Sequence, residues 1–144
     1  MNTPKTSSDE SSNSFNDIIQ LAENNTDEWW RYIDSQLPLL CNEPEVVARA
    51  RDNILHKEEG LRDLAASILE ASSISLTTLD TQNLKMLMKD QGYPWFRAAC
   101  ALAKRITEHD IAEIIGKEPI KEKLEYYTQD NNVSEIAKKY LHWL

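Results

Sequence analysis

The sequence predicts an all-α protein built from stacked helix pairs. Apolar residues recur at spacings of three and four along most of the chain, which is the pattern of a helix that buries one face. Only three glycines occur, Gly60, Gly92 and Gly116, and each lies between segments that carry this pattern. Strand signals are nearly absent, because no alternating run of β-branched residues is bounded by an Asn-Gly or Asp-Gly turn.

The chain divides into a tail and a body. Residues 1–14 hold hardly any apolar side chains, so burial cannot offset their ordering entropy, and we predict a disordered N-terminal tail there. The remaining residues, 15–144, have a length that suits one helical domain. Within it we predict N-terminal capping helices over 15–43 and repeat-like helix pairs over 44–144.

Two short helices are predicted in the capping region. Pro38 marks the end of the second helix or a kink near it. Trp29 directly precedes Trp30, and neighbouring positions on a helix point about 100° apart. Either a groove buries both rings, or Trp29 is exposed and anchors a partner. The apolar faces are Phe15, Ile18, Ile19 and Ala22 in the first helix, and Trp30, Ile33 and Leu37 in the second.

Four helices are predicted over 44–106. Proline stands at a helix-opening position at Pro44 and again at Pro94. We expect Gly60 to interrupt the chain between the first two of these helices. The four apolar faces are Val46, Val47, Ala50, Ile54 and Leu55; Leu61, Leu64, Ala65, Ile68 and Leu69; Leu79, Leu84, Leu87 and Met88; and Trp95, Phe96, Ala99, Cys100, Leu102 and Ala103.

Three further helices are predicted towards the C-terminus. A short one over 111–115 ends at Gly116, and Pro119 opens the next. The end of the last helix is too apolar for a frayed tail, so we expect it to dock on the body or on a partner. The residues concerned are Ile120, Leu124 and Tyr127 in the second of these helices, Val133, Ile136, Ala137, Tyr140 and Leu141 in the third, and His142, Trp143 and Leu144 at its end.

A short motif repeats along the chain. The pattern Leu61-Arg62-x-x-Ala65-Ala66 recurs as Phe96-Arg97-x-x-Cys100-Ala101 at an offset of 35 residues. A weaker third copy begins at Val133 and has Ser134 where arginine is expected. Each copy follows another helical segment, as in proteins that stack helix pairs.

This motif resembles the second helix of HEAT-type repeats. The resemblance implies an α-α superhelix of stacked antiparallel helix pairs, in which small residues allow close helix approach and large residues fill the space between repeats. It covers about 44–144, and its period is shorter than the roughly 40–47 residues usual for such repeats. A non-repetitive helical bundle is the alternative architecture.

The resemblance also indicates a binding surface. In stacked helix pairs the second helices line the inner face. Arginines at the motif position act either as internal braces or as contacts to a ligand. The predicted partner-binding residues are Trp29, Arg62, Asp63, Arg97, Arg105 and Trp143.

Charge limits the classes of partner. The net charge is -8, and it arises in residues 1–72, which hold six Lys and Arg against fourteen Asp and Glu, whereas residues 73–144 hold ten of each. A nucleic-acid binder needs a basic footprint, which this chain lacks overall, so we expect no nucleic-acid partner. There is no apolar segment typical of a secretory signal or of a membrane span, so we expect a soluble cytoplasmic protein.

The motifs of common enzymes are missing from the sequence. With three histidines, no HExxH, no paired-cysteine motif and no G-x-S-x-G, the chain predicts neither catalytic residues nor a metal or other cofactor. Cys41 and Cys100 both lie in apolar surroundings and are predicted to be small core residues.

Three functions remain compatible with these patterns. The first is a non-catalytic protein–protein interaction module, that is, an adaptor, chaperone-like or regulatory protein that binds through its helical-repeat surface. The second is a small acidic inhibitor or immunity protein that neutralises a basic partner such as a toxin. The third is an enzyme whose carboxylates converge on folding. Assembly into an oligomer through the C-terminal helix is compatible with all three.

Overall fold

A computed structural model describes residues 16–17, 19–20, 22, 36–90 and 92–144, although not the side chains of His109 and Asp110. The predicted tail over 1–14 lies outside these residues, as does most of the predicted capping helix that carries Trp29. Seven helices have both ends described, and no strand occurs in the described part of the chain. The all-α prediction is therefore confirmed for these residues.

The chain forms two compact units, Met1–Ser73 and Ile74–Leu144. In the first unit, α1 (Pro44–Asn53) packs against α2 (Glu59–Ala71). Proline in the first turn of α1 costs no hydrogen bond, and Glu45 near its start and Arg51 near its end both suit the helix dipole. The predicted apolar faces of both helices are buried, except that Leu55 is exposed just beyond the end of α1.

Gly60 lies inside α2 and does not interrupt the chain, contrary to our prediction. A Cβ atom at this position would stand 1.8 Å from the backbone oxygen of Ala22, which is far too close for any side chain. Glycine is therefore required by the close approach of another backbone segment, and the helix accepts it because it falls in the first turn.

One side chain fastens the two ends of the α1–α2 pair. The Asn42 side-chain oxygen, just before α1, accepts hydrogen bonds from the Ser73 backbone N–H at 2.9 Å and from the Ser72 and Ser73 hydroxyls at 3.1 Å each. These bonds hold the residues that follow α2 beside the residues that precede α1.

The second unit holds five helices: α3 (Thr78–Leu87), α4 (Tyr93–Ala103), α5 (His109–Ile114), α6 (Lys117–Tyr127) and α7 (Ser134–Trp143). α4 packs against α3, α6 and α7, while α3 also contacts α5, and α6 contacts α7. α4 can take this central place because the stretch from Ala98 to Ala103 is fully buried and consists mostly of small residues, which let neighbouring helices approach closely.

α3 begins with a reciprocal cap. The Thr77 hydroxyl accepts from the Asp80 backbone N–H, and the Asp80 carboxylate accepts from the Thr77 N–H, both at 3.0 Å. Asp80, Leu84 and Leu87 face the core. Leu79 lies about 100° around the helix from Asp80 and is 63% exposed, so its predicted place in the apolar face is wrong.

The two good copies of the motif have the same burial pattern. Each lies within a helix, α2 for one and α4 for the other. The large residue that opens each copy is buried, as are the small residues one turn later, whereas the arginine of each copy is partly exposed. The buried residues are Leu61, Ala65 and Ala66 in the first copy, and Phe96, Cys100 and Ala101 in the second.

Candidate functional site

An open cleft lies on the second unit, where the start of α4 meets the last turns of α6. Its volume is about 730 Å³. We call it the aromatic cleft. Its lining residues come from the α3–α4 connection, the first turn of α4, the end of α6 and the turn after α6. They are Lys89, Asp90, Gly92, Tyr93, Trp95, Lys123, Tyr126, Tyr127 and Asp130.

Four aromatic rings line the cleft, and the buried ring of Phe96 packs against one of them. The Trp95 ring centroid is 5.2 Å from that of Tyr126 and 5.4 Å from that of Tyr127, the second contact being edge-to-face. Tyr127 also contacts Tyr93 at 6.2 Å and Phe96 at 4.9 Å. These separations are in the range in which aromatic pairs attract each other. Tyr127 is therefore the buried centre of the cluster, around which the other rings are arranged.

Two tyrosine hydroxyls fix this wall to the backbone and the turn. The Tyr127 hydroxyl donates to the Gly92 carbonyl at 2.6 Å, which ties the end of α6 to the start of α4. The Tyr93 hydroxyl donates to the Asp130 carboxylate at 3.2 Å, and the same carboxylate accepts from the Asn132 backbone N–H at 2.9 Å. Gly92 has a φ of 100°, a conformation that favours glycine.

The outer part of the cleft is accessible. Tyr126 is 65% exposed although its ring lies against Trp95. A large aromatic side chain left in contact with solvent at the edge of a cleft is a typical anchor point for a partner. Its neighbour in sequence, Tyr127, is buried. Tyr127 therefore stabilises the wall of the cleft, whereas Tyr126 is exposed for contact with a partner.

A cation lies directly on the tryptophan. The Lys123 ammonium nitrogen is 3.7 Å from the centroid of the Trp95 ring, well inside the distance for a cation–π interaction. The Trp95 indole nitrogen is itself buried, and it has no hydrogen-bond partner among the described residues. A buried N–H of this kind is normally satisfied by water or by a bound molecule.

The sequence-predicted site residues lie elsewhere. Trp29 is outside the described residues. Arg62, on α2, is half-buried, and one of its terminal nitrogens donates to the carbonyls of His56 at 2.9 Å and Lys57 at 2.8 Å. It therefore braces the α1–α2 connection. Asp63 beside it is only 2% exposed.

The two predicted arginines of the second unit differ in how far their side chains are buried. Arg105 is 6% exposed, and it donates to the Ile74 carbonyl and the Ala101 carbonyl at 3.1 Å each. These bonds make it a brace between the chain before α3 and the end of α4. Arg97 is half-buried and lies 5.5 Å from the centroid of the Phe96 ring.

Trp143 is the only described member of the predicted set with a large exposed surface, at 47%. Its ring lies edge-on to Tyr140 at 5.3 Å, and the Lys139 ammonium nitrogen is 5.9 Å from its centroid. Trp143 is the last residue of α7, and its ring is partly covered by that of Tyr140. None of the five described members of the predicted set lines the aromatic cleft.

Among the described side chains, no group of three or more His, Cys, Asp and Glu could hold a metal ion. In the same part of the chain, no helix is both long enough and apolar enough to cross a membrane. Cys41 and Cys100 are both buried, as predicted for small core residues.

No family model, curated protein or solved structure matches the chain. The residues of the aromatic cleft therefore have to be interpreted from their own geometry.

Proposed function

We propose that this protein is a non-catalytic protein–protein interaction module that takes a short extended segment of its partner into the aromatic cleft. The observation that carries this function is the cleft itself, which is open, has a volume of about 730 Å³, and is edged by the exposed Tyr126 ring beside Trp95. Tyrosine and tryptophan at the centre of a contact surface supply most of the binding free energy in many protein interfaces.

The shape of the cleft favours a peptide segment over a small molecule. Small-molecule sites enclose most of the ligand surface within apolar walls, whereas this cleft is open to solvent and has two lysines and two aspartates among its lining residues. An extended segment can lie along such a surface and use one apolar side chain as its anchor. The cleft is also built on helices that a buried aromatic cluster holds in place, so little ordering of the protein is needed on binding.

We also propose that the helix pairs of the second unit stack in a HEAT-like manner. Support comes from the shared burial pattern of the motif copies in α2 and α4. Within the second unit, α4 packs against α3, α6 and α7. This is what the second helix of one pair does when the next pair stacks on it. The aromatic cleft then lies at the junction of two consecutive pairs.

A peptide selection experiment tests the proposed function. The intact protein is used to select binders from an unbiased phage library of random peptides, and the recovered peptides are labelled with fluorescein for anisotropy titrations. We expect Tyr126→Ala to weaken binding at least about tenfold, since an anchor residue contributes about 2 kcal/mol or more. Leu79→Ala, which removes an equally exposed apolar side chain from α3, is the matched control and is expected to have almost no effect.

Two outcomes contradict the proposed function. One is that no peptide is recovered in repeated selections with correctly folded protein. The other is that Tyr126→Ala and Leu79→Ala bind the recovered peptides with the same affinity as the unmodified chain. Circular dichroism and thermal unfolding of each variant show whether a loss of binding comes from the cleft or from unfolding.

A further inference from the structure

The charges around the aromatic cleft point to the chemistry of the bound segment. We infer that the segment is acidic: its carboxylate pairs with the ammonium groups of Lys89 and Lys123, while a neighbouring apolar or aromatic side chain lies against Tyr126 and Trp95. This inference rests on the proposed function, because it specifies which peptides the same cleft selects.

The positive groups of the cleft are available to a ligand. Among the described residues, no ion pair involves the ammonium group of Lys89 or of Lys123. Lys89 is exposed and Lys123 is half-buried. Both can therefore turn towards a carboxylate without breaking an existing ion pair.

The Asp130 carboxylate of the cleft is held by hydrogen bonds within the chain. The Asp130 carboxylate accepts one hydrogen bond from the Tyr93 hydroxyl and one from the Asn132 backbone N–H. Asp90 also has a contact within the chain. The cleft contains equal numbers of lysines and aspartates, but the hydrogen bonds of Asp130 hold its carboxylate towards its own turn, whereas both lysine ammonium groups can turn towards a carboxylate of the ligand.

A cationic ligand is disfavoured for a second reason. Aromatic clefts bind ammonium groups when a ring face is open, but the face of Trp95 already carries the Lys123 ammonium at 3.7 Å. A basic segment that reached this ring would meet a like charge at short range. An acidic segment is favoured instead, because its carboxylate can pair with the Lys123 ammonium while that ammonium stays in contact with the Trp95 ring.

The charge balance of the chain does not oppose an acidic ligand at this position. The acidic excess arises in residues 1–72, whereas residues 73–144, which supply the whole cleft, hold equal numbers of acidic and basic side chains. At ordinary salt, charges more than about 10 Å apart are largely screened. The two nearby lysines therefore outweigh the distant acidic residues, and added salt weakens the attraction.

Paired peptides test this inference directly. Each peptide recovered from the random library is made in two forms, one with its Asp and Glu residues and one with Asn and Gln in their place. Binding of both forms is measured to the unmodified chain, to Lys89→Gln, to Lys123→Gln and to Lys117→Gln. Lys117 is exposed at the start of α6 and does not line the cleft, so it controls for the loss of one positive charge.

We expect the acidic form to bind the unmodified chain about threefold to tenfold more tightly than the amide form, with the difference shrinking at high salt. Lys89→Gln and Lys123→Gln should each reduce this preference by about half or more, while Lys117→Gln should leave it intact. The preference is a ratio measured on one variant, so a small change in folding caused by Lys123→Gln does not alter it.

The remaining outcomes distinguish a failure of the acidic ligand from a failure of the proposed peptide-binding function. If neutral or basic peptides are recovered, and Tyr126→Ala weakens them while the lysine variants do not, the acidic ligand is wrong and the binding cleft stands. If the preference for the acidic form is equal in all three lysine variants and the unmodified chain, the inference is also wrong. If no peptide of any charge binds, both the inference and the proposed function fail.

Discussion

The ammonium nitrogen of Lys123 lies 3.7 Å from the centroid of the Trp95 ring, which joins α6 to α4 at the floor of the aromatic cleft. A cation held on an aromatic face stabilises a fold by about 0.5–1 kcal/mol at accessible sites and by more where water is excluded. We therefore predict that Lys123→Met, which keeps the aliphatic stem, lowers the free energy of unfolding by about that amount. Urea unfolding measures the difference. The matched variant Lys117→Met, at the exposed start of the same helix, should be nearly neutral, and an equal loss in both variants would contradict this account.

Tyr126 and Tyr127 are adjacent but differ in what their hydroxyls do. We predict that Tyr127→Phe destabilises the protein by about 1 kcal/mol, because the hydroxyl donates to the Gly92 carbonyl at 2.6 Å. Tyr126→Phe should change stability by a few tenths of a kcal/mol at most, since that side chain is mainly exposed. Thermal unfolding followed by circular dichroism distinguishes them. Equal midpoints for the two variants would show that the hydroxyl bond does not hold α6 to α4.

Glycine is required at position 60 because the Ala22 backbone leaves no room for a side chain, and it is favoured at position 116 because the backbone φ is positive. We predict that Gly60→Ala destabilises the protein by about 1–3 kcal/mol, because the added Cβ would stand 1.8 Å from the Ala22 oxygen. At Gly116 a Cβ would meet nothing within 4 Å, but φ is +76°, so Gly116→Ala should cost about 1 kcal/mol through strain alone. Amide hydrogen exchange localises the effect: the first variant should lose protection at residues 19, 20 and 22. Unchanged protection there would contradict the close approach.

Arg105 acts as a brace within the second unit. Since it is 6% exposed and donates to two carbonyls, we predict that Arg105→Met lowers the free energy of unfolding by about 1–3 kcal/mol. It should leave the affinity for a cleft peptide unchanged under conditions where the variant is folded. The control, Lys138→Met, removes an exposed charge that pairs with Glu135 at 3.7 Å and should cost no more than about 0.5 kcal/mol. If Arg105→Met is as stable as the unmodified chain but binds the peptide more weakly, Arg105 contacts the partner and is not a brace.

Much of the helical organisation follows from the sequence pattern. Proline at a helix-opening position and apolar spacing of three and four place α1, α2 and α4 and their buried faces, because these signals are local. Gly60 and Leu79 are predicted wrongly for reasons that are not local. The helical place of Gly60 depends on another backbone segment that passes against α2. The exposure of Leu79 depends on which side of α3 packs against the neighbouring helices.

The aromatic cleft could not be read from the sequence in the same way. Trp95 and Tyr126 are 31 positions apart, and only the packing of α6 on α4 brings their rings to 5.2 Å. A partial signal was present, since Lys123 precedes Tyr126 and Tyr127 by three and four positions and so shares their side of the helix. The regular spacing of the arginines in the repeated motif predicts a binding surface, but in the structure Arg62 serves as a brace.

The indole N–H of Trp95 gives the most direct test of the central claim. It is a single buried proton of a residue that lines the aromatic cleft, and it has no acceptor among the described residues. In ¹H–¹⁵N NMR spectra its signal is identified by its loss in Trp95→Phe, and the unmodified chain is then titrated with a peptide recovered from the random library. We predict that this signal shifts on binding, together with backbone amides in 89–95 and 123–130. An unshifted Trp95 indole signal, with the perturbed amides confined to other helices, would show that the aromatic cleft is not the binding site.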